Sequence, residues 1–263
     1  MGKGLILFDI DGTLLHAPGG RDAFAQAFKE AFGWEQGVEH INFYGATDLN
    51  VFRGICVERG VEPTPEMEKA FFERLAPALD SRLAVNPPTL FPNVENVLKM
   101  LHDPPRPSLC SGHPSRGGEL LKSPPSEGCP QGGVGCSWKL GIVTGNIEAT
   151  AWAKLHHAGI AHYFDFGGFG CTHADRAEIA RQALKASGVQ HPEKVFLIGD
   201  TPSDINAAKV NGFISIAVAT GGFDFQALET CAAAGGKAGA DFVFEDLTDT
   251  ERLLSILESG MMR

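Results

Sequence analysis

Short apolar runs alternate with amphipathic segments along most of this 263-residue chain. The runs at residues 5–8, 140–143 and 195–198 are continuously apolar, which is typical of strands that are covered on both faces of a parallel sheet. Shorter strands are predicted at residues 163–166, 214–217 and 242–244. Because the strands alternate with helical patterns, the sequence predicts an α/β fold with a doubly wound parallel sheet.

Helical periodicity dominates the region after the first strand. Phe24, Phe28 and Phe32 recur at helical spacing, and Gly33 ends that helix. A second helix is predicted to begin at Thr47 or Asp48, and a third to cover residues 65–80. We therefore expect residues 1–14 and 93–263 to form the α/β core, and residues 15–92 to form an all-helical unit inserted into it.

The segment at residues 103–138 differs in kind from its surroundings. It is rich in Pro, Gly, Ser and Cys and has almost no apolar periodicity. Its His and Cys residues match no zinc-ligand spacing. We expect a disordered or artefactual insert within the core, with the composition of translated non-coding sequence. A regulatory insert that covers a crevice of the core is the alternative.

The composition limits which classes of binding partner and which cellular compartment we expect for this protein. The chain is 43% hydrophobic, enough for a full core and a small second domain, and its net charge of −10 argues against a nucleic-acid-binding surface. Its six cysteines are scattered without a C-x-x-C pair, which predicts free thiols in a reducing compartment. No apolar stretch approaches the length of a membrane span. The sequence thus predicts a cytoplasmic protein with no membrane and no nucleic-acid partner.

Two carboxylates follow the first strand directly. Asp9 and Asp11 are two residues apart, so we expect both to point to the same side, where like charges crowd unless a cation or a shared proton relieves them. Gly12 lets the chain turn, and the Thr13 hydroxyl is placed to close that turn. A solvated acidic turn without function is the alternative interpretation.

The run Asp-Ile-Asp-Gly-Thr at residues 9–13 resembles the first motif of the haloacid dehalogenase-like (HAD) hydrolase superfamily. The resemblance implies a Rossmann-like core with an inserted helical cap of the C1 type, here residues 15–92. It also implies that Asp9 is the nucleophile and Asp11 the general acid/base. Residues 45–48 look like the G-x-T-D turn of phosphoglycolate-phosphatase-like members, although a plain helix start explains them equally well.

Two further strand ends carry residues that resemble the second and fourth motifs of this superfamily. Thr144 ends one predicted strand, and Asp200 and Asp204 follow another. The resemblance implies that Mg²⁺ is held by Asp9, the backbone carbonyl of Asp11, Asp200 and Asp204. It further implies that the substrate phosphate is bound by Gly12, Thr144, Gly145, Asn146 and Arg176.

The third motif departs from the family pattern. The family offers a lysine there, whereas Arg176 stands at the matching place in this chain. Arginine keeps the charge and binds an oxyanion with two nitrogens, but it is a wider group. Lys154 and Lys185 lie on predicted helices in positions that fit the third motif less well.

Taken together, the motifs resemble those of a Mg²⁺-dependent phosphatase. The resemblance implies hydrolysis of a small phosphomonoester through an aspartyl-phosphate, with Asp9, Asp11, Thr144 and Arg176 as catalytic residues and a small phosphorylated metabolite as partner of a monomer or homodimer. A phosphomutase shares every core residue and is one alternative. A HAD-like binding protein without turnover is another, and a dehalogenase is disfavoured because Asp11 is present.

Deletion of residues 104–137, with Asp103 joined to Trp138, is expected to preserve phosphatase activity and to leave stability equal or higher. A long loop without structure is unusual in a compact domain, and its closure costs only on the order of 1–2 kcal/mol. Phosphate release and the thermal unfolding midpoint of both chains measure this. A folded deletion variant without activity would show that the segment contributes to function.

Overall fold

The computed structural model describes residues 4–35, 37–38, 40–41, 43–102, 138–171, 173–232 and 239–259. Apart from Trp138, the insert predicted at residues 103–138 lies outside the described residues, so its order and role stay predictions. In chain order the elements are β1 (Leu5–Phe8), β2 (Leu15–His16), α1 (Gly20–Phe32), α2 (Asp48–Glu58), α3 (Pro65–Val85), β3 (Thr89–Leu90), α4 (Val94–His102), β4 (Lys139–Thr144), α5 (Glu148–His157), β5 (Phe166–Phe169), α6 (Arg176–Ala186), β6 (Val195–Gly199), α7 (Pro202–Asn211), β7 (Ile214–Val218), α8 (Phe225–Thr230), β8 (Phe242–Phe244) and α9 (Thr250–Ser259).

A six-stranded sheet with the order β5-β4-β1-β6-β7-β8 forms the centre of the core. Every neighbouring pair in it is parallel. Ile6 and Phe8 belong to an apolar cluster with α4, α5 and α9, whereas Leu5 and Leu7 belong to another with α6 and α7. Because successive side chains of a strand point to opposite faces, β1 is buried on both sides. The predicted α/β fold with a doubly wound parallel sheet is confirmed.

The strand order brings the ends of β1, β4 and β6 together. β1 lies between β4 and β6, with Phe8 opposite Ile142 on one side and Ile198 on the other. The chain builds the sheet outward from β1 in one direction through β4 and β5, then in the other through β6, β7 and β8. The carboxyl ends of strands beside such a switch point form the usual crevice for ligands.

The helices α1, α2 and α3 pack around an aromatic cluster of their own. The ring of Phe71 lies 4.3 Å from that of Phe28 and 5.0 Å from that of Phe52, measured between centroids. This unit is not all-helical, because β2 and β3 pair as two short antiparallel strands where the chain leaves and re-enters the core. The domain boundaries at 14/15 and 92/93 stay predictions.

The strand expected at residues 163–166 is displaced toward the C-terminus. The structure has a 3₁₀ turn at Ala161–Tyr163 and places β5 at Phe166–Phe169. Two glycines hide the strand signal, since glycine has low strand propensity. Gly168 lies so close to α6 that an added Cβ would stand 2.1 Å from the carbonyl oxygen of Ile179. The glycine therefore serves the packing of α6 on the sheet rather than strand formation.

Candidate active site

Three carboxylates gather where β1 and β6 end. Asp9 follows β1, Asp200 follows β6, and Asp204 lies in the first turn of α7. Each is at most 3% exposed. One carboxylate oxygen from each lies within 4.8 Å of the others. Because like charges at this separation repel strongly in a buried site, the cluster needs positive charge.

Arg176 supplies part of that charge from the N-terminus of α6. Asp175 is the N-cap of this helix, so the arginine is its first residue and lies beside the crevice. Nη1 of Arg176 donates to Oδ1 of Asp9 at 3.2 Å, and Nε lies 3.4 Å from Oδ1 of Asp204. The residue predicted from the third motif therefore contacts both the predicted nucleophile and a predicted metal ligand.

The cluster shifts the acidity of its members. The pKa of Asp9 is raised well above its ordinary value by burial and by the charges of Asp204 and Asp200. Burial outweighs the opposing effect of the Arg176 charge, which lowers this pKa. Burial and the Asp204 carboxylate raise the pKa of Asp200 to about 7. Burial alone would lower the pKa of Arg176, but the carboxylates of Asp204 and Asp9 hold it above the ordinary value. The carboxylates are thus only partly compensated by the protein itself.

The same cluster fits a divalent cation. Three carboxylates face one guanidinium, so two negative charges are left over when all groups are ionised. Within the described part of the chain, Oδ1 of Asp204 and Nε of Arg176 are buried polar atoms without a hydrogen-bond partner. An oxygen-rich donor set with an unsatisfied carboxylate oxygen is what Mg²⁺ accepts. The side chain of Asp11 is outside this set, and a role for its backbone carbonyl stays a prediction.

Asp11 belongs to a second polar network. Its Oδ2 accepts from Nζ of Lys154 and from Nδ2 of Asn146, each at 2.6 Å. The same Asn146 amide donates to Oγ1 of Thr144 at 2.7 Å, and its Oδ1 accepts from Lys154 at 2.7 Å. The Asp11 side chain is 43% exposed, against 4% for Asp9. The two neighbouring carboxylates therefore have different cations and different solvation.

Lys154 is a site residue to which the sequence analysis gave no role. It was placed behind Arg176 as a candidate for the third motif, and its buried ammonium contacts Asp11 rather than Asp9. The sequence signal was a spacing of four residues. Thr150 and Lys154 on α5 follow Asn146, which precedes the helix, at this spacing, and all three line the same cavity. The site therefore contains two cationic side chains: Arg176 contacts Asp9, and Lys154 contacts Asp11.

Gly12 is required by its conformation and by its neighbour. Its φ of +84° is unfavourable for other residues, and an added Cβ would stand 2.3 Å from Oδ2 of Asp200. The Thr13 hydroxyl donates to Oδ1 of Asp200 at 3.3 Å instead of closing its own turn as predicted. The turn after β1 is therefore fitted to the carboxylate that follows β6.

The start of α7 fixes the orientation of Asp204. The helix begins at Pro202 with Thr201 as its N-cap, and Asp204 lies in its first turn. Oδ2 of Asp204 accepts from the Thr201 hydroxyl at 2.7 Å in a capping box. This bond fixes one carboxylate oxygen and leaves Oδ1 directed at the cluster.

The turn at residues 45–48 contacts the core beside Thr144. The backbone N–H of Asp48 donates to the carbonyl of Gly145 at 2.8 Å, and Oδ2 of Asp48 accepts from the N–H of Ile147 at 2.8 Å. An added Cβ on Gly145 would stand 2.2 Å from the carbonyl oxygen of Ala46. Burial raises the pKa of Asp48 to about 6, although Lys154 and the Ile147 N–H lower it. This turn therefore connects the helical unit to the segment after β4.

A cavity of about 630 Å³ joins these groups between the helical unit and the core. All but one of the candidate residues line it, namely Asp9, Asp11, Gly12, Thr144, Gly145, Asn146, Arg176 and Asp200. Asp204 lies behind this lining, next to Arg176. The structure brings all the candidates together, and their individual roles stay predictions.

Comparison with known proteins agrees with this arrangement. Residues 136–218 match the family model described as "Haloacid dehalogenase-like hydrolase", which spans β4, Thr144, Arg176, Asp200 and Asp204. The match includes the residues that resemble the second, third and fourth motifs and confirms the resemblance over this part of the chain. No curated protein matches the sequence. Among the helices of the described residues, none has the length and apolar composition that a membrane span requires.

Solved structures share the fold over nearly the whole chain. A hydrolase from Pseudomonas syringae is 21% identical with a TM-score of 0.62, and the match covers 97% of this chain and 98% of that one. A predicted phosphatase from Clostridium acetobutylicum is 16% identical with a TM-score of 0.63, covering 98% and 100%. CbbY from Rhodobacter sphaeroides, solved in complex with phosphate, is 19% identical with a TM-score of 0.62, covering 95% and 96%.

Asp48→Asn is expected to make the protein more stable at pH 8 than the wild type and to lose this advantage as the pH falls to 4. The folded-state pKa of Asp48 lies at about 6, above the ordinary value of 3.8, so its ionised form costs stability once the pH rises through this window. The amide still accepts from Ile147 without a buried charge. The difference is on the order of 2–3 kcal/mol at most. Thermal unfolding of both proteins from pH 4 to 8 measures it, and a difference that does not change with pH would contradict the assignment.

Proposed function

We propose that this protein is a Mg²⁺-dependent phosphatase that hydrolyses a small phosphomonoester through an aspartyl-phosphate. One observation carries the proposal: two carboxylates of different environment face one cavity, Asp9 buried against Arg176 and Asp11 exposed against Lys154. Two carboxylates in different surroundings can take different roles, as a nucleophile and an acid/base. A cation bound at the cluster beside Asp9 would keep this buried carboxylate ionised, as a nucleophile requires. The family match supports the hydrolase class.

The acidic cluster is the proposed Mg²⁺ site. Asp9, Asp200, Asp204 and the backbone carbonyl of Asp11 would hold the ion, with Asp204 in or just behind the first shell. When bound, Mg²⁺ neutralises carboxylate charge and polarises the oxygens of the phosphoryl group. The raised pKa values of Asp9 and Asp200 support this part of the proposal, because carboxylates with uncompensated charge take up either a proton or a cation.

Asp9 is the proposed nucleophile. Its carboxylate attacks phosphorus, a new bond forms between Asp9 and phosphorus, and the bond from phosphorus to the leaving oxygen breaks. Arg176 donates to Asp9 at 3.2 Å and lines the cavity, where its guanidinium would bind phosphoryl oxygens. Gly12, Thr144, Gly145 and Asn146 complete the proposed phosphate-binding set.

Asp11 is the proposed general acid/base. It gives a proton to the leaving alcohol, and its carboxylate then takes a proton from the water that attacks the aspartyl-phosphate. Lys154 and Asn146 hold Oδ2 of Asp11, so its other oxygen is left for the substrate and the water. After the second step Asp9 is regenerated and inorganic phosphate leaves.

The proposed substrate is a small phosphorylated metabolite, and neither nucleic acid nor a membrane is a proposed partner. The proposed location is the cytoplasm, and the proposed state is a monomer or homodimer. Free thiols at Cys56, Cys171 and Cys231 agree with a reducing compartment. Release of inorganic phosphate, rather than formation of an isomeric ester, separates a phosphatase from a phosphomutase.

Asp9→Asn is expected to lower Mg²⁺-dependent phosphate release to below about one per cent of the wild type, since an amide is a poor nucleophile at phosphorus. The assay uses p-nitrophenyl phosphate and a panel of phosphorylated metabolites, each with Mg²⁺ and with a chelator. Asp165→Asn, at an exposed position, is the matched control and keeps full activity. Higher residual activity in Asp9→Asn would remove Asp9 from the nucleophile role, and a wild type inactive on every ester would contradict the proposed function.

Asp11→Asn is expected to slow hydrolysis of an alkyl phosphate by about 10²–10⁴-fold, because the alcohol leaves without a proton. With p-nitrophenyl phosphate the leaving group needs no proton, so a fast first release of nitrophenolate remains and the later hydrolysis is slow. Rapid-mixing kinetics on both esters separate the two steps. Equal slowing of the first step for both esters would assign the proton transfer to another group.

A further inference from the structure

The active-site cavity is larger than its phosphate-binding end. At about 630 Å³ it is in the range of pockets that enclose ligands of drug size. Its walls continue from Asp9 into the helical unit as far as Leu75 and Leu79 of α3. A phosphoryl group with a two-carbon leaving group fills only a small part of this space.

The end of the cavity in the helical unit is apolar. Phe24 of α1, Val51 of α2 and the two leucines of α3 line it and are each at most 6% exposed. Ile41 and Phe43 complete this wall, which we call the apolar wall. These side chains offer no hydrogen-bonding atoms, so polar groups of a ligand would lose their hydration there without replacement.

Two charged side chains of the helical unit that line the cavity, Arg21 and Asp48, also have partners within the protein. The Arg21 guanidinium donates to the carbonyls of Val38 and Ile41 and lies 5.0 Å from the centre of the Phe43 ring. The Asp48 carboxylate accepts from the Ile147 N–H. Arg21 thus holds the segment that carries Ile41 and Phe43.

We propose that the leaving group of the substrate is an apolar alcohol with an alkyl or aryl group of about six carbons or more. An alcohol that carries a carboxylate, or a sugar, fits this end of the cavity less well. The inference rests on the proposed phosphatase function and specifies its substrate class. The phosphate lies at Asp9, Thr144 and Arg176, and the carbon chain extends along the apolar wall. Each methylene that moves from water to this wall contributes to binding of the transition state.

A series of straight-chain alkyl phosphates tests the inference. Ethyl, butyl and hexyl phosphate release alcohols of nearly equal acidity, so the chemical step is the same and only the buried chain differs. With the full-length protein and Mg²⁺, kcat/KM is expected to rise about fourfold per buried methylene, which is on the order of 200-fold over the four methylenes from ethyl to hexyl phosphate. Phosphoglycolate and a hexose phosphate are expected to react more slowly than hexyl phosphate.

A pair of valines on α2 provides matched variants. Val51 lines the cavity, whereas Val57 on the same helix is 65% exposed and lies outside the cavity lining. Val51→Thr keeps the shape of the side chain, and its hydroxyl is able to bond to the carbonyl of Thr47 within the helix. It is expected to lower the ratio of kcat/KM for hexyl over ethyl phosphate by threefold or more, while Val57→Thr leaves the ratio unchanged.

Other outcomes overturn the inference in distinguishable ways. Equal kcat/KM for ethyl and hexyl phosphate, a preference for phosphoglycolate or the hexose phosphate, or an unchanged ratio in Val51→Thr would reject the apolar leaving group and keep the phosphatase. Absence of phosphate release from every ester would reject the phosphatase, and the substrate class with it.

Discussion

Burial of like charges is the constraint on which the site depends. Asp9, Asp200 and Asp204 are brought together by the ends of β1 and β6, and Arg176 compensates them only in part. The neighbouring backbone is fitted to them, since Gly12 leaves room for the Asp200 carboxylate and the capping box at α7 fixes one oxygen of Asp204. A buried charge without full compensation costs several kcal/mol, so such a cluster is difficult to explain as structure alone. Binding of a cation, as proposed, would compensate the remaining charge.

The two proposed catalytic acids line one cavity in different surroundings. Asp9 is buried beside Arg176, and Asp11 is partly exposed beside Lys154 and Asn146. The turn at Asp48 bonds to the backbone directly after Thr144, so the position of the helical unit and the shape of the phosphate-binding end depend on each other. The apolar wall and the charged end of the cavity are therefore held in a fixed relation by contacts near the reacting atoms.

The sequence was sufficient to predict the elements that have a local pattern of their own. The apolar runs predicted β1, β4 and β6, and polar residues at their ends predicted which side chains meet, because parallel strands share one carboxyl edge. The sequence was insufficient for features that depend on tertiary contacts. Lys154 enters the site through the docking of α5, and β5 contains glycines that serve the packing of α6. The pairing of β2 with β3 joins residues far apart in sequence and has too few positions to give a pattern.

Unfolding by urea at pH 8, with and without Mg²⁺, tests the cation site most directly when the wild type is compared with Asp200→Asn. Because burial and Asp204 raise the pKa of Asp200 to about 7, removal of its charge is expected to stabilise the metal-free protein. Mg²⁺ is expected to stabilise the wild type by about 2.7 kcal/mol at 100 times its dissociation constant, and the variant far less. A wild type that Mg²⁺ does not stabilise, or a variant that gains as much, would contradict the account.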